Sequence, residues 1–381
     1  MGSYLLPIQR TIFGKEVRAH MNQERLQKVL HGMNQAGLSQ MIISDPTNIF
    51  YLTGKLINPG ERMLVLLIKA DQIPALFINE LFPIRENLGV DVVTYNDSQD
   101  PIALLLPYID PGSSLGVDKN WPARFLIKLM HQSPTPIREF TDISTIVDSV
   151  RAIKDETERD LMREASCLND QAMEKVLELL PNCYTEKRVS RLLLDVYEEL
   201  GAQGYSFEPI IAYGANGADP HHESDSTTKL EEGHSIIIDI GCRKNFYCSD
   251  MTRTVFYKKA DDLQRKVYNI VLEANLKAIE TVKPGVRFCD IDAAARNHIE
   301  KFGFGEYFTH RTGHSIGLEV HETGDVSAVN TDPVQEGMIF SIEPGIYLPG
   351  KFGVRIEDLV LVTKAGCEVL NHFPKDLQIT E

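Results

Sequence analysis

Four acidic residues in the second half of this chain each sit in or beside an apolar, strand-like run. They are Asp239 in IIIDIG, Asp250 in FYCSDMTRTV, Glu343 in IFSIEPGIYL and Glu357 in GVRIEDLVLV. A strand that is apolar on both sides of its acid tends to bury it. A buried carboxylate is tolerated only with a cation beside it or a proton on it. Any fold must therefore bring these acids to cations or leave them at solvated strand edges, and their apolar neighbours argue against the edges. His314 lies between the second and third acid in the chain and adds one imidazole.

The spacing suggests how the acids meet. Asp239 and Asp250 are symmetric about the polar stretch Arg243-Lys244-Asn245, so a turn at residues 244–245 would set them opposite each other. Opposite residues of an antiparallel pair share a face, with Cβ atoms about 4.5–5.5 Å apart. Glu343 and Glu357 are symmetric about Gly350 in LPGKFG, a second turn. In addition, EGHSIIIDIG (232–241) aligns with EGMIFSIEPG (336–345), placing Asp239 on Glu343 and Gly241 on Gly345. This predicts a duplicated half-domain, each copy supplying two carboxylates. Four ionised carboxylates are balanced by two divalent cations. Oxygen donors with one nitrogen suit manganese, cobalt, iron or zinc better than copper. Two such ions about 3.5–4 Å apart acidify water and polarise a carbonyl, which is the chemistry of a hydrolase.

The 381 residues are too many for one core and suggest two domains. Residues 1–20 read as an extension. Residues 21–150 read as a small α/β domain. ERLQKVLHGMNQAG has helical period and ends at Gly37, and QMIIS, MLVLLIK, PALFIN and VDVVTY read as buried strands. Residues 151–381 alternate long amphipathic helices with hairpins, an α+β pattern. The formal net charge of -15 argues against nucleic acid and anionic membrane as partners. No run approaches the ~18 apolar residues of a membrane span. Six scattered cysteines without a CxxC pair imply reduced thiols and a cytoplasmic protein, with Cys242 and Cys248 a minor zinc-ligand alternative.

At the acidic cluster the chain resembles the proline peptidases of the pita-bread metallopeptidase family, which includes creatinase, aminopeptidase P and methionine aminopeptidase. HRTGHSIGLEVHE (310–322), EPGIY, VRIED, and DIG followed by YCSDMTRT carry the resemblance. It covers residues from about 155 to the end, and the preceding α/β domain fits the two-domain, creatinase-like members. The resemblance implies an α/β N-terminal domain, a C-terminal pita-bread domain with a pseudo-twofold internal repeat, and two metal ions, manganese foremost. It implies that Asp239 chelates one metal, His314 binds the other, and Asp250 and Glu357 bridge both. Glu343 would bind a metal and carry a proton from water to the leaving nitrogen. His222 and His321 match the family's outer histidines and would bond the scissile carbonyl or the substrate termini, whereas His221 reads as incidental. The implied partners are a small peptide and a second copy of the chain in a homodimer.

An Xaa-Pro dipeptide carries a carboxylate close to its scissile bond, and a guanidinium recognises that group best. Arg311, Arg355 and Arg62 are the candidates, with His310 beside them at the start of the signature. Arg62 belongs to the first domain and would have to reach across from a partner subunit or over the domain gap. After VHE the chain reads TGDV where some prolidases place an arginine, so the anchor must come from elsewhere. The leading reading is an Xaa-Pro dipeptidase. The alternatives are an aminopeptidase P acting on longer Xaa-Pro peptides and, in another class, a non-catalytic binding module, whose mark would be lost metal ligands.

Overall fold

The computed structural model describes residues 20–381, so all but the last residue of the 1–20 extension lies outside the described residues. The chain divides into two compact units between Val150 and Arg151. The first holds a six-stranded sheet. Its strands are β1 (Gln40–Ile43), β2 (Val65–Lys69), β3 (Ala75–Asn79), β4 (Asp91–Tyr95), β5 (Leu115–Val117) and β6 (Phe140–Asp142), in the order β4-β3-β2-β1-β5-β6. β1 pairs antiparallel with β2 and parallel with β5, making the sheet mixed. Helices α1 (Gln23–Gln35), α2 (Pro46–Thr53), α3 (Pro101–Leu105) and α4 (Ala123–Gln132) belong to the unit, and α5 (Ser144–Ala152) closes it and carries the chain past the boundary. The Asn22 side chain caps α1 by accepting from the Arg25 N–H, and Gly37, at φ 68°, takes the chain out of the helix. One strand departs from expectation. VDVVTY was expected to be buried, but β4 is the sheet's edge and Asp91, Val92 and Thr94 are exposed.

The second unit is α+β, and its two halves repeat. The first half runs α6 (Glu156–Leu179), α7 (Glu186–Glu199), β7 (Ile210–Tyr213), β8 (Ser235–Ile240), a short hairpin of β9 (Arg243–Lys244) and β10 (Tyr247–Cys248), then β11 (Met251–Tyr257). The second half runs α8 (Asp262–Thr281), α9 (Phe288–Lys301), β12 (Gly313–Ser315), β13 (Glu322–Val326), β14 (Ile339–Ile342), β15 (Gly345–Leu348), β16 (Phe352–Arg355) and β17 (Asp358–Val362), and β18 (Cys367–Val369) and β19 (Ile379–Thr380) follow. β7-β8-β11 in one sheet corresponds to β12-β14-β17 in the other, each preceded by two helices. The long first helix of each half opens on a capping box, Asp155 with Glu158 and Asp261 with Gln264. Gly233 and Gly337, the equivalent residues before β8 and β14, share a left-handed backbone with φ of 89° and 90°. Each half packs its own apolar core. Met173, Leu193 and Ile238 lie in one, and Val271, Ala295 and Phe340 in the other. This is the pita-bread architecture with its pseudo-twofold repeat.

The two hairpins differ in how well spacing foretold them. In the second, Ile342 faces Asp358 and Gly345 faces Arg355, a single register that sets Glu343 across from Glu357 as expected. In the first, Lys244 faces Tyr247 and Asp239 faces Thr252. The turn is Asn245-Phe246, both left-handed (φ 48° and 72°), the pattern of a two-residue hairpin turn. The sequence symmetry therefore placed the turn one residue early, and Asp250 is not opposite Asp239. It stands two residues from Asp239's partner. Because strand side chains alternate with period two, the shift leaves both acids on one face.

Gly313 opens β12 where the backbones run so close that a Cβ would lie 1.9 Å from the Ser341 carbonyl oxygen. Gly313→Ala should push β12 off β14 and cost about 1–3 kcal/mol, read as a fall in Tm of several degrees. An unchanged Tm would mean that the ladder beside His314 yields without cost.

Candidate metal centre

The end of β8, the start of β11, the strand β12 and the gap between the two ladders of the second hairpin bring the five expected donors into one neighbourhood. Asp250, His314 and Glu357 are buried and offer ligand atoms that all lie within 4.8 Å of one another. His314 Nε2 is 3.4 Å from Glu343 Oε1 and 3.7 Å from Asp250 Oδ2. The longer separation is too great for a hydrogen bond, but both suit donors around a shared ion. Asp239 acts electrostatically on Asp250, Glu343 and Glu357. The halves are stitched together here. The Thr252 hydroxyl donates to Glu357 Oε2 at 2.7 Å, and the Glu357 N–H donates to the Thr252 carbonyl at 3.1 Å.

Three carboxylate oxygens, Asp239 Oδ1, Asp250 Oδ1 and Glu357 Oε1, are buried without a hydrogen-bond partner. An ionised carboxylate only accepts, and leaving such an acceptor buried and unpaired is costly. The fold answers one acid directly. Arg355 Nη2 donates to Asp239 Oδ2 at 2.6 Å. The others are left with a raised affinity for protons. Burial and neighbouring acids push Asp250 and Glu357 well above the carboxylate range, and burial raises Glu343 to about 7. His314 behaves in the complementary way. Burial lowers it to about 3, so its imidazole is neutral. Its Nδ1 faces the Ser315 carbonyl at 3.3 Å, which assigns the proton to Nδ1 and leaves the Nε2 lone pair facing the acids. Orphaned oxygens on three acids and a neutral imidazole aimed at them fit divalent cations.

The expected substrate-binding residues fall into different situations. Arg355 is fully buried. It also bonds the Tyr347 hydroxyl (2.9 Å), Thr252 Oγ1 (3.1 Å) and the Pro220 carbonyl (3.4 Å). Its charge is spent on Asp239, so it is not the open carboxylate anchor the sequence suggested. His310 is tied in as well. Its Nε2 accepts from the Tyr347 hydroxyl at 2.8 Å, its Nδ1 lies 2.7 Å from the Arg311 carbonyl, and burial lowers it to about 4. Tyr347, which the sequence reading passed over, thus links Arg355 to His310, and Gly345 has no room for a Cβ beside its hydroxyl. Arg62 is held inside the N-terminal unit by a bidentate pair with Asp97, both bonds 2.8 Å. Arg311 is partly open and pairs with Asp325.

The histidines need one correction. His321 stands where expected, its ring centroid 4.3 Å from that of His314 and nearly perpendicular to it. Its loop is anchored by the next residue. Buried Glu322 accepts from Arg151 at 2.6 Å, Lys154 at 3.0 Å and the Leu318 N–H at 3.0 Å, and these cations hold it near 2. His222, by contrast, gives its Nε2 to Glu186 at 2.7 Å. Glu186 is buried and also accepts from the Tyr213 and Asp225 N–H groups, so His222 braces a loop. Its neighbour His221, read as incidental, acts electrostatically on His310 and His321. Pro220, just before it, already touches Arg355. Two adjacent histidines on an irregular loop carry no periodicity to distinguish them. Cys242 and Cys248 are no ligands here. Their sulfurs lie 3.5 Å from the Ala165 and Leu318 carbonyls, and burial raises them to about 11 and about 12.

A duplicated α+β domain that gathers four acids and an imidazole, following a separate mixed-sheet α/β domain in the chain, defines a metal-dependent peptidase. Residues 160–364 match metallopeptidase family M24, and residues 25–153 match the creatinase/prolidase N-terminal domain. The chain belongs to family M24. An uncharacterized peptidase of Staphylococcus aureus is 35% identical over 92% of this chain and 99% of its own length. Among solved structures, the prolidase from Pyrococcus horikoshii is 31% identical, with a TM-score of 0.85 over 93% of this chain and 99% of that one. The X-Pro aminopeptidase from Thermotoga maritima is 28% identical, with a TM-score of 0.80 over 92% of this chain and 100% of that one. Among the described residues no helix is long and apolar enough to cross a membrane.

The raised acids make a pH prediction. In metal-stripped protein the native state keeps protons that the unfolded chain releases, so their contribution to stability is present in acid and is lost as pH rises. Neutral His314 and His310 act in the opposite sense, but only below their ordinary value of 6.5. From about pH 6.5 to 8 the acids act alone in this centre. Tm of the stripped protein should fall across that interval, and the increment gained on adding manganese should grow. A flat, metal-insensitive profile would mean that the acids are not buried together.

Proposed function

We propose that the protein hydrolyses the peptide bond preceding proline in Xaa-Pro dipeptides with two divalent cations, manganese foremost. The observation carrying this reading is the set of three orphaned carboxylate oxygens on acids gathered about a neutral imidazole. The ligands would be Asp239, Asp250, His314, Glu343 and Glu357. When bound, the cations would neutralise the acids, polarise the scissile carbonyl and acidify a water. Arg355 holds Asp239 in place from behind, and Thr252 orients Glu357. Glu343, bonded through Oε1 to the Ser341 hydroxyl at 3.1 Å, is the least enclosed of the four acids. It accepts the water's proton and delivers it to the departing proline nitrogen. His321, exposed at the rim beside His314, donates toward the substrate carbonyl, and His221 takes the part first expected of His222. Arg311, the partly open guanidinium near the centre, receives the dipeptide carboxylate.

The prolidase's closer match supports dipeptidase over aminopeptidase P, as does the presence of a guanidinium beside the acids. Ala-Pro and Ala-Pro-Ala separate the two readings in one assay, run with manganese, cobalt and zinc. Turnover of the tripeptide alone would replace the first reading with the second.

Two substitutions test the roles. Glu343→Ala should lower kcat by at least about 100-fold, the scale of a positioned acid–base group, and weaken manganese binding in calorimetry. Near-normal turnover would remove Glu343 from proton transfer. Arg311→Ala should raise KM for Ala-Pro far more than for Ala-Pro amide, and equal effects would show that it does not hold the carboxylate.

A further inference from the structure

Arg311 does not stand alone. β12 and β13 pair so that Asp325 lies directly across from His314. Cross-strand partners share a face, so the Asp325 side chain leaves the sheet on the same side as the imidazole. Arg311, just before β12, donates from Nη1 to Asp325 Oδ1. The two side chains are 34% and 47% exposed, against 3% for Arg355, so this pair sits at the accessible margin of the centre. Arg311 acts electrostatically on Glu343, His314 and His321, and Asp325 acts on His321. Asp325 takes one hydrogen bond from a guanidinium that has five N–H donors. The remaining donors suit a second carboxylate, and a partly solvated ion pair is weak enough to exchange.

We propose that Asp325 is a resident counter-ion for Arg311, which a ligand's free carboxylate must displace or share. The pair, rather than Arg311 alone, then sets how strongly the enzyme prefers ligands ending in a free proline carboxylate. This rests on the Xaa-Pro dipeptide reading and deepens it. The same side chain that orients the guanidinium lowers its attraction for substrate anions. Asp325 stands in the TGDV stretch that directly follows the signature ending at Glu322.

The test uses the manganese-loaded enzyme and unreactive ligands. Calorimetric Kd is measured for L-proline and L-prolinamide, which differ by the carboxylate charge. Asp325→Asn should tighten proline about two- to fivefold, the scale of a partly exposed pair, and leave prolinamide unchanged. Asp325→Glu should restore the wild-type ratio, and Arg311→Ala should weaken proline alone. Tm confirms that each variant is folded. Unchanged or weaker proline binding in Asp325→Asn, an equal effect on prolinamide, or no proline binding by any variant would overturn the proposal. Failure of the dipeptidase reading shows separately, as wild-type enzyme that binds proline but does not cleave Ala-Pro.

Discussion

Mutual repulsion among four carboxylates is the constraint that organises the C-terminal domain. At about 4 Å and an effective dielectric near 20, each like-charged pair costs roughly 4 kcal/mol, and burial adds desolvation. The protein's own cations answer only part of this. Arg355 neutralises Asp239, while burial raises Asp250, Glu343 and Glu357 above their ordinary values. The surroundings are built to keep the acids in place despite the repulsion. Arg253, buried behind them, donates to the Thr252 carbonyl at 3.0 Å, the Glu357 carbonyl at 2.6 Å and Asp358 at 2.8 Å. The backbone that presents the four acids is therefore fixed by groups outside that cluster.

Duplication explains why the acids can converge at all. One β-strand with an acid near its end is a minor perturbation. Two such strands in halves related by a pseudo-twofold bring their acids to the shared axis. Thr252 and Glu357, one from each half, exchange two hydrogen bonds there. The matching glycines Gly233 and Gly337 give both strands the same entry.

Much of this was legible in the chain because it is local. Each acid announced itself by its apolar neighbours, the Gly350 turn set Glu343 across from Glu357, and the strand alignment revealed the halves. What failed to show was decided by turns and long-range pairing. Composition placed the first turn at the polar residues Lys244-Asn245, but the left-handed pair is Asn245-Phe246, and no polarity rule selects a phenylalanine there. The bond between Arg355 and Asp239 spans more than a hundred residues, so the arginine's sequence position next to the glutamate motif suggested a free anchor. The bond that sets His222 apart from His221 goes to Glu186, on a distant helix, and adjacent positions in the chain do not reveal it.

The two guanidiniums near the centre show how burial assigns a role to a residue type. Arg355 has its donors distributed over Asp239, Tyr347, Thr252 and Pro220, with almost no exposure. Releasing it would strand a buried charge on each side, so it cannot change partners during a catalytic cycle. Arg311 has one partly solvated partner, and water compensates whichever ion it leaves. The first guanidinium maintains geometry, and the second keeps a partner it can exchange.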